Sequence, residues 1–411
     1  MNAPHPGADI AATLLLDPGV IESPYAFYDR LRREAPVWRV PGTDIVTVAS
    51  FAALAEAVAR VEDFSSNLEA LLYRDDAGIP ARIEFRGAGI QTLATADPPV
   101  HTVHRGAVFP ELVAKRMTLL EPSVSELAAK LLADSLVDDA PFDFMTDVGN
   151  LVPINVISWL IGFEDSDPRA LLRAAFDSTD LLSATMPRSV LESKLVRTDE
   201  IGHWMASELQ RALAAPGEDI LGAVASSIHA HDMTFESGVV VMQTLLSAGG
   251  ESTSSLLGNA VRILAEQPDL QHQLRDERAL VAPFIEEALR LEPPFRNHMR
   301  SAPRTTELAG IEIPDGSTVL LLWGAANRDP TEYDRPDDVV LDRRTPRHHV
   351  AFGRGIHHCV GAPLARLEAR VVLNELLDQT SHFELTDEAP TWINSLMVRR
   401  HETLPLRCHV R

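Results

Sequence analysis

Apolar residues recur along most of the chain at the spacing of an amphipathic helix. The pattern predicts helices over four stretches, residues 23–37, 97–109, 116–160 and 195–230. The first begins at a Ser-Pro pair and stops before Pro36, and the second follows Asp97-Pro98-Pro99, a helix-entry signal. A further stretch, Val239–Pro268, is apolar almost all round, which predicts a buried helix.

Strand-like stretches are fewer, at Ile45–Ser50, Gly310–Trp323 and residues 393–400. Within the second, Pro314-Asp315-Gly316 predicts a hairpin turn. Residues 68–94 and 178–196 are expected to form irregular, mobile loops, although apolar residues run through both. Because helices outweigh strands and no βαβ alternation appears, we expect a mainly α protein with small β-sheets and no doubly wound sheet.

Composition narrows the class of protein further. With 411 residues, 45% of them hydrophobic, the chain can bury a large core, and we expect a single domain over residues 1–411 with a flexible stretch at 1–16. A net charge of −22 argues against general nucleic-acid binding and against adhesion to anionic membranes. No apolar run approaches the roughly 20 residues of a membrane span, and the first residues lack a signal-peptide pattern. Two cysteines suit a reducing compartment, so a cytoplasmic location is expected.

The segment HHVAFGRGIHHCVG, residues 348–361, places Cys359 beside two histidine pairs. Zinc sites usually contain a second ligand pair, but neither a partner cysteine nor an H-E-x-x-H helix accompanies this segment. Nothing in it matches the local signatures of hydrolytic cysteine enzymes. A zinc site and a buried inert cysteine stay as alternatives, and the second leaves the surrounding glycines unexplained.

The residues that follow Cys359 have the period of a helix, with Pro363 in its first turn. Cys359 is therefore expected at a helix N-terminus, where the dipole and the free N–H groups favour thiolate over thiol. Gly353, Gly355 and Gly361 would let a flat, bulky group approach the backbone. A thiolate that faces a planar ligand is what axial ligation of haem iron requires.

The pattern Phe352-x-x-Gly355-x-His357-x-Cys359-x-Gly361 resembles the haem-binding loop of the cytochrome P450 monooxygenases. The resemblance runs from about Asp17 to the C-terminus and is strongest to an actinobacterial, mycobacterial-type branch. It implies a helix-rich prism in which haem b (iron protoporphyrin IX) lies buried between a long central helix and the cysteine loop. It further implies that Cys359 is the axial ligand of the haem iron, that Phe352 and Gly361 contact the haem, and that His357 holds a propionate.

The predicted buried helix contains two features that are unfavourable in a helix core. Gly249 and Gly250 each cost about 1 kcal/mol relative to alanine, and Glu251 is a carboxylate among apolar residues. By itself, Glu251 is better interpreted as a satisfied core residue. Ala248-Gly249-Gly250-Glu251-Ser252 matches the family's A-G-x-[DE]-T pattern, with serine in place of threonine. The resemblance implies that Glu251 and Ser252 are catalytic in proton delivery, that neighbouring Thr253 shares the role, and that the glycines leave room for dioxygen.

Glu287 and Arg290 match the family's E-x-x-R pattern. Taken alone, their i,i+3 spacing is typical of a surface ion pair. The resemblance implies instead a clamp in the fold that takes no part in the chemistry.

Three further cations are candidates for the two carboxylates of a haem. His101 and Arg105 share a helix face at i,i+4, and Arg300 follows the stretch LEPPFRNHM. As single residues each would be interpreted as solvated surface. The resemblance implies that all three bind the propionates together with His357.

Electrons must come from a separate protein, because the sequence contains no flavin, iron–sulfur or dinucleotide-binding segment. Residues 343–370 carry six arginines and one glutamate. This local excess of positive charge is interpreted either as salt bridges within the fold or as a docking site for an acidic ferredoxin.

By the resemblance, the substrate would lie against mostly apolar residues. Arg296 is the one charged candidate anchor, and it could equally point outward. Steroid, fatty-acid, terpenoid and aromatic substrates all stay open. The candidate pocket residues are Leu71, Leu72, Phe85, Leu246, Ala248, Phe295, Arg296, Ile393 and Leu396.

The function that follows is a haem-thiolate monooxygenase that inserts one atom of O2 into an apolar small molecule by hydroxylation or epoxidation. One alternative is a haem-thiolate protein that binds ligands or senses gases without oxygenating them. Another is a peroxide-driven enzyme. The acid–alcohol pair Glu251–Ser252 argues against both.

Overall fold

The computed structural model describes residues 6–85, 89–137, 140–163 and 166–411. Helices dominate, as the apolar pattern predicted. In chain order they are Pro18–Glu22 (α1), Tyr25–Glu34 (α2), Phe51–Ala59 (α3), Val100–Val108 (α4), Ala114–Ser135 (α5), Leu151–Ile161 (α6), Pro168–Asp180 (α7), Arg188–Ala214 (α8), Ile220–His229 (α9), Phe235–Ala265 (α10), Pro268–Asp276 (α11), Val281–Leu291 (α12), Trp323–Ala326 (α13) and Ala362–Gln379 (α14).

The strands are short and form small sheets. In chain order they are Val37–Arg39 (β1), Ile45–Val48 (β2), Ala70–Arg74 (β3), Pro80–Glu84 (β4), Phe142–Asp143 (β5), His298–Ser301 (β6), Thr306–Leu308 (β7), Ile311–Ile313 (β8), Thr318–Leu321 (β9), Thr380–Leu385 (β10), Thr391–Trp392 (β11), His401–Thr403 (β12) and Pro405–Val410 (β13). The largest sheet has the order β1-β2-β9-β6, with β2 and β9 parallel and the other pairs antiparallel.

The predicted hairpin at Pro314–Gly316 is wrong. Strand β8 pairs with β7, whereas β9 lies between β2 and β6 in the largest sheet. The turn therefore connects two different sheets. All four residues of β9 are buried, so its apolar run suits a central strand, and turn chemistry alone could not show which partner it would take.

The two predicted loops are largely regular, and one predicted strand is absent. Within residues 68–94, strands β3 and β4 form an antiparallel hairpin, although residues 86–88 lie outside the described ranges. Within 178–196, only residues 181–187 separate α7 from α8. Residues 393–400 form no strand, and their β-pairing is limited to a single bridge between Phe295 and Val398. Backbone hydrogen bonds join this segment to residues 294–296 without forming a regular ladder.

Residues 7–16 are packed, contrary to the expectation of flexibility. Ile10, Leu15 and Leu16 are each 1% exposed. The backbone carbonyl of Gly7 accepts a hydrogen bond from Trp38 Nε1 at 3.0 Å. This apolar cluster gives the stretch its order. Residues 1–5 lie outside the described ranges.

Helix α10 runs through the main core and packs against α6, α7, α8 and α14. Its glycines allow this close packing. A Cβ on Gly249 would stand 2.8 Å from Ile157 Cγ1 of α6, and one on Gly258 would stand 2.6 Å from Met145 Sδ. Close helix packing therefore accounts for Gly249 and Gly258. Gly249 also borders a cavity, and the room for dioxygen that the resemblance implies there stays a prediction.

Glu287 and Arg290 form a buried pair, each side chain 1% exposed. Arg290 donates from Nε and Nη2 to the two carboxylate oxygens of Glu287 at 2.8 and 2.9 Å. Glu287 also accepts from Arg343 Nε at 2.8 Å. The pair ties α12 to the segment that leads to the cysteine loop, so it is not the surface pair that spacing alone suggested.

Candidate functional site

A cavity lies between α10 and the loop that carries Cys359. One wall, the α10 wall, is formed within residues 244–256, and a second, the cysteine wall, is formed within residues 351–365. The residues that line it are Leu93, Ala94, His101, Arg105, Leu112, Ile157, Thr244, Leu245, Ala248, Gly249, Ser252, Thr253, Leu256, Leu289, Pro294, Phe295, His298, Arg300, Trp323, Ala351, Phe352, Gly353, Arg354, His357, His358, Cys359, Val360, Gly361, Leu364 and Ala365.

The cysteine loop folds back on itself before α14 begins at Ala362. Cys359 N donates to the Phe352 carbonyl oxygen at 2.9 Å, which closes the loop. Gly353 and Gly355 take φ values of 67° and 72°, a left-handed conformation that glycine adopts without strain. The Cys359 side chain is exposed to the cavity, as the sequence pattern predicted.

Opposing influences act on the Cys359 sulfur. Burial of its surroundings raises the pKa of the thiol, while the backbone N–H groups of Gly361 and Ala362 and the guanidinium groups of Arg105 and Arg366 lower it. The net shift is upward, so the helix N-terminus offsets only part of the cost of burial. Binding to a metal ion would complete the deprotonation.

A set of cationic and imidazole side chains lies at one edge of the cavity; His101, Arg105, Arg300 and His357 are called the cationic edge. The rings of His101 and His357 are 4.2 Å apart, and the Nε2 atoms of both are buried without a hydrogen-bond partner among the described residues. Burial lowers the pKa of His101, and lowers that of His357 to about 3. The four residues come from α4, β6 and the cysteine loop.

The cationic edge and the cysteine wall fit a flat ligand that carries two carboxylates and a metal. Buried polar atoms are almost always hydrogen-bonded, so the two partnerless Nε2 atoms indicate a missing partner with acceptor oxygens. Burial lowers the pKa of Arg300 to about 10, and among the described residues its guanidinium donates to the carbonyl of the neighbouring Met299 alone, at 2.8 Å. Haem, with two propionates and an iron, matches this set of donors.

Ser252 and Glu251 occupy different faces of α10. Ser252 lines the cavity, and its hydroxyl donates to the Ala248 carbonyl oxygen at 2.6 Å. Glu251 is fully buried and points away from the cavity. Its carboxylate accepts from Arg400 Nε at 2.9 Å and from the Thr179 hydroxyl. The predicted acid–alcohol pair is therefore split across the helix, and Thr253 lines the cavity beside Ser252.

Burial raises the pKa of Glu251 to about 7, although Arg400 opposes the rise. The sequence pattern did not indicate Arg400 or Thr179 as partners of Glu251, because they lie 149 and 72 positions away from it in the chain. A single clue was available, since a buried carboxylate requires a partner. The clue does not say which of 37 lysines and arginines supplies it.

Of the predicted pocket residues, Ala248 and Phe295 line this cavity. Arg296 does not: it is 2% exposed, its Nη1 donates to the Ile21 carbonyl at 2.6 Å, and its Nη2 donates to that of Ser395. It binds the N-terminal segment to residues 393–400 and is no substrate anchor. The structure also places outside the cavity wall Leu71, Leu72, Phe85, Leu246, Ile393 and Leu396.

Sequence analysis missed His298 and Trp323, which both line the cavity. Trp323 Nε1 donates to His298 Nδ1 at 2.7 Å. A signal for His298 was present in the sequence, because residues two apart on a strand face the same side. The strand that presents Arg300 therefore also presents His298.

The zinc alternative has no geometric support. Among the residues that the structure describes, no group of three or more His, Cys, Asp and Glu side chains is arranged to hold a metal ion. In the same residues, no helix combines the length and the apolar character needed to cross a membrane.

The fold is helical, and Cys359 faces a cavity at whose edge two described histidines have Nε2 atoms without a hydrogen-bond partner. These features place the protein in the class of haem-thiolate proteins. The family model described as Cytochrome P450 matches residues 217–403. The chain is 41% identical to Cytochrome P450 144 of Mycobacterium tuberculosis over 94% of this chain and 89% of that one. It is 31% identical to Cytochrome P450 109 of Bacillus spizizenii over 93% of this chain and 91% of that one.

Solved structures agree. CYP109E1 from Bacillus megaterium, in complex with testosterone, is similar with a TM-score of 0.83 and 27% identity, over 96% of this chain and 100% of that one. Ligand-free CYP164A2 of Mycobacterium smegmatis is similar with a TM-score of 0.81 and 29% identity, over 97% and 100% of the chains.

The chain belongs to the cytochrome P450 family. It has the P450 fold, its cofactor is haem b, and it is a haem-thiolate monooxygenase of the oxidoreductase class. The expected mycobacterial-type relationship is confirmed.

Proposed function

We propose that this monooxygenase oxidises apolar small molecules and receives its electrons from a ferredoxin-type protein. The observation that carries the proposal is the cavity itself, in which an apolar wall stands over the Cys359 sulfur. Haem b, when bound, supplies the reductive activation of dioxygen and the transfer of one oxygen atom to a C–H or C=C bond. The protein supplies ligation, substrate position, protons and exclusion of water.

Cys359 would bind the haem iron, and the cationic edge would hold the propionates. Four donors from three elements would fix a planar dianion in one orientation. Phe352 lies in the cysteine wall with Gly353 and Gly361, where the small residues leave the ligand room to approach the backbone.

The substrate would lie above the haem against side chains that are mostly aliphatic or aromatic. These side chains favour apolar ligands by removing their surface from water. The testosterone found in the Bacillus megaterium relative is a ligand of that class and supports the proposal. The apolar residues concerned are Leu93, Leu112, Ile157, Leu245, Leu256, Leu289 and Phe295.

Glu251 and Ser252 would move protons into the cavity. With a pKa of about 7, the Glu251 carboxyl can both hold and release a proton near neutrality. When neutral it is attracted less strongly to Arg400, so protonation favours its release from that ion pair. The Ser252 hydroxyl, already in the cavity, would pass the proton onward. Thr253 lies in position to share this step.

The electron donor would dock on the side of the cysteine loop. Of the six arginines in residues 343–370, four form ion pairs within the fold: Arg343 with Glu287, Arg347 and Arg366 with Glu286, and Arg370 with Glu121. Arg344, Arg347 and Arg354 are exposed, as is Ile356 at 40%, and together they would form a basic surface that includes an apolar residue. An acidic ferredoxin would be steered to such a surface.

The proposal is tested with purified ferric protein reconstituted with a ferredoxin, its reductase and NADH. A library of apolar compounds is screened by the shift of the Soret band, and compounds that bind are incubated with isotopically labelled dioxygen. We expect products that carry one labelled oxygen and that depend on the ferredoxin. Haem-loaded, reducible protein that oxidises none of its ligands would contradict the proposal, as would turnover with peroxide that the ferredoxin system never supports.

A further inference from the structure

His298 is a polar side chain in the apolar part of the cavity wall. It lies on β6, half-buried, with the edge of Phe295 packed against it at 5.5 Å between ring centroids. Trp323, from the start of α13, also lines the cavity and donates from Nε1 to His298 Nδ1 at 2.7 Å. Among the described residues, the bond from Trp323 is the only hydrogen bond of the His298 ring, and the ring is half-buried.

The contact with Trp323 determines the tautomer of His298. An indole nitrogen can only donate, so Nδ1 must be the acceptor and must carry no hydrogen. A neutral imidazole then carries its hydrogen on Nε2. Burial, with a smaller contribution from Arg300, lowers the pKa of His298 to about 3, so the ring is neutral at physiological pH. His298 is therefore an uncharged donor of fixed direction.

Two hydroxyl groups of the cavity are already bonded within α10. The hydroxyl of Thr244 donates to the Val240 carbonyl oxygen at 2.8 Å, and that of Ser252 donates to that of Ala248 at 2.6 Å. The cationic edge faces the position assigned to the haem carboxylates. The His298 Nε2–H stays available between that edge and the apolar wall around Phe295 and Pro294.

We propose that His298, held in one tautomer by Trp323, is a specificity-determining residue that donates a hydrogen bond to a carbonyl oxygen of the substrate. The inference rests on the proposed function and narrows its substrate class to apolar molecules that carry a carbonyl group. Phe295 would pack against the hydrocarbon next to that group. A ligand that covers the His298 Nε2–H without offering an acceptor takes water from a donor that gains no bond in return, so the site would also discriminate against a hydrocarbon of the same shape.

The test compares two rigid probes of one shape, 2-adamantanone and adamantane, by Soret titration of the haem-loaded protein. His298→Leu should weaken binding of the ketone about fivefold while leaving the hydrocarbon unchanged or tighter. His298→Gln, which keeps an N–H donor, should restore part of the preference. Trp323→Phe, which frees the tautomer, should reduce it. As a matched control, Phe295→Leu should weaken both probes and keep their ratio.

Haem retention separates this role from a role toward the cofactor. Transfer of haem to apomyoglobin should be as slow in His298→Leu as in the wild type, and faster in Arg300→Leu. An unchanged probe ratio in His298→Leu, or haem loss as fast as that of Arg300→Leu, would overturn the inference while both probes still bind. Failure of the wild type to bind any apolar compound would instead contradict the proposed function.

Discussion

On the cationic edge of the cavity, His101 and His357 keep Nε2 atoms without partners, whereas on α10 both Ser252 and Glu251 are bonded within the protein. Unsatisfied buried donors lower stability until a ligand arrives, so the edge is built for an occupant. The polar groups of α10 are stable as they stand and must break a bond before they can act. The cationic edge therefore offers free binding groups, whereas the polar groups of α10 become available only after a hydrogen bond breaks.

Replacing Cys359, which supplies the sulfur, should have the largest effect on the activity of the cavity. Cys359→Ser should abolish the thiolate-type carbonyl band of the reduced protein, because a hydroxyl does not replace a thiolate on iron. It should also abolish monooxygenase turnover. The measurement is the difference spectrum of the reduced protein with carbon monoxide.

The chain offers a matched control in its second cysteine. Cys408 is buried on β13, and Cys408→Ser should keep the thiolate band. A thiolate band that persists in Cys359→Ser, or one that disappears in Cys408→Ser, would contradict the assignment of Cys359 as the ligand.

Replacing Glu251 should have the next largest effect, which is on the pH dependence of the free energy of unfolding. Its pKa rises from 4.5 to about 7 on folding, so the folded state holds this proton more tightly than the unfolded state. The stabilisation is fully present below about pH 4.5 and is lost as the pH rises through about 7. Relative to Glu251→Gln, which cannot titrate, the wild type should lose about 3 kcal/mol of unfolding free energy across that interval.

Denaturant unfolding at a series of pH values measures this difference. Arg400 lowers the pKa of Glu251, so Arg400→Leu should move the pH-dependent loss to higher pH. It should also destabilise the protein wherever Glu251 is charged, since a buried carboxylate would lose its partner. A difference between wild type and Glu251→Gln that does not vary with pH would contradict the raised pKa.

Ser252 should have a smaller effect, confined to coupling. Ser252→Ala removes the hydroxyl that faces the cavity, so electrons should be diverted to peroxide and product per NADH should fall severalfold. Ser254 makes the same type of bond, to the Gly250 carbonyl at 2.7 Å, but does not line the cavity. Ser254→Ala should therefore keep the wild-type yield, and equal losses in the two variants would remove Ser252 from proton delivery.

The sequence predicted what depends on local pattern and missed what depends on distant contacts. The helices, the position of Cys359 in the cavity and the gathering of His101, Arg105, Arg300 and His357 followed from spacing or from the family pattern. These features recur as short motifs, each of which is identified within its own segment, and only the family pattern assigns the motifs to one site.

The Arg400–Glu251 pair, the Trp323–His298 contact and the burial of Arg296 join residues far apart in sequence. Pairing of β9 with β2 instead of β8 has the same origin, since strand partners are chosen by tertiary packing. The substrate pocket was predicted least well because its wall is assembled from many segments, each contributing one or two residues.

Surface charge near the cysteine loop should give the smallest effect. Arg347, with 74% of its side chain exposed, lies 3.6 Å from Glu286, which already binds His349 and Arg366, so it contributes little to the fold. The double variant Arg344→Glu/Arg347→Glu should raise the KM for an acidic ferredoxin severalfold at low salt, and the difference should shrink as salt screens the charges.

A charge reversal on a helix that does not line the cavity sharpens this test. Arg188, 59% exposed at the start of α8, forms an ion pair with Glu192 one turn later and a hydrogen bond with Tyr73. None of the cavity-lining residues that the structure describes comes from α8, so Arg188→Glu should leave the ferredoxin KM unchanged. If each variant raised the KM in proportion to the positive charge it removes, the effect would be general repulsion between an acidic donor and a chain of net charge −22. A KM that rises only in the double variant, and only at low salt, would locate electron entry on the same side as the thiolate.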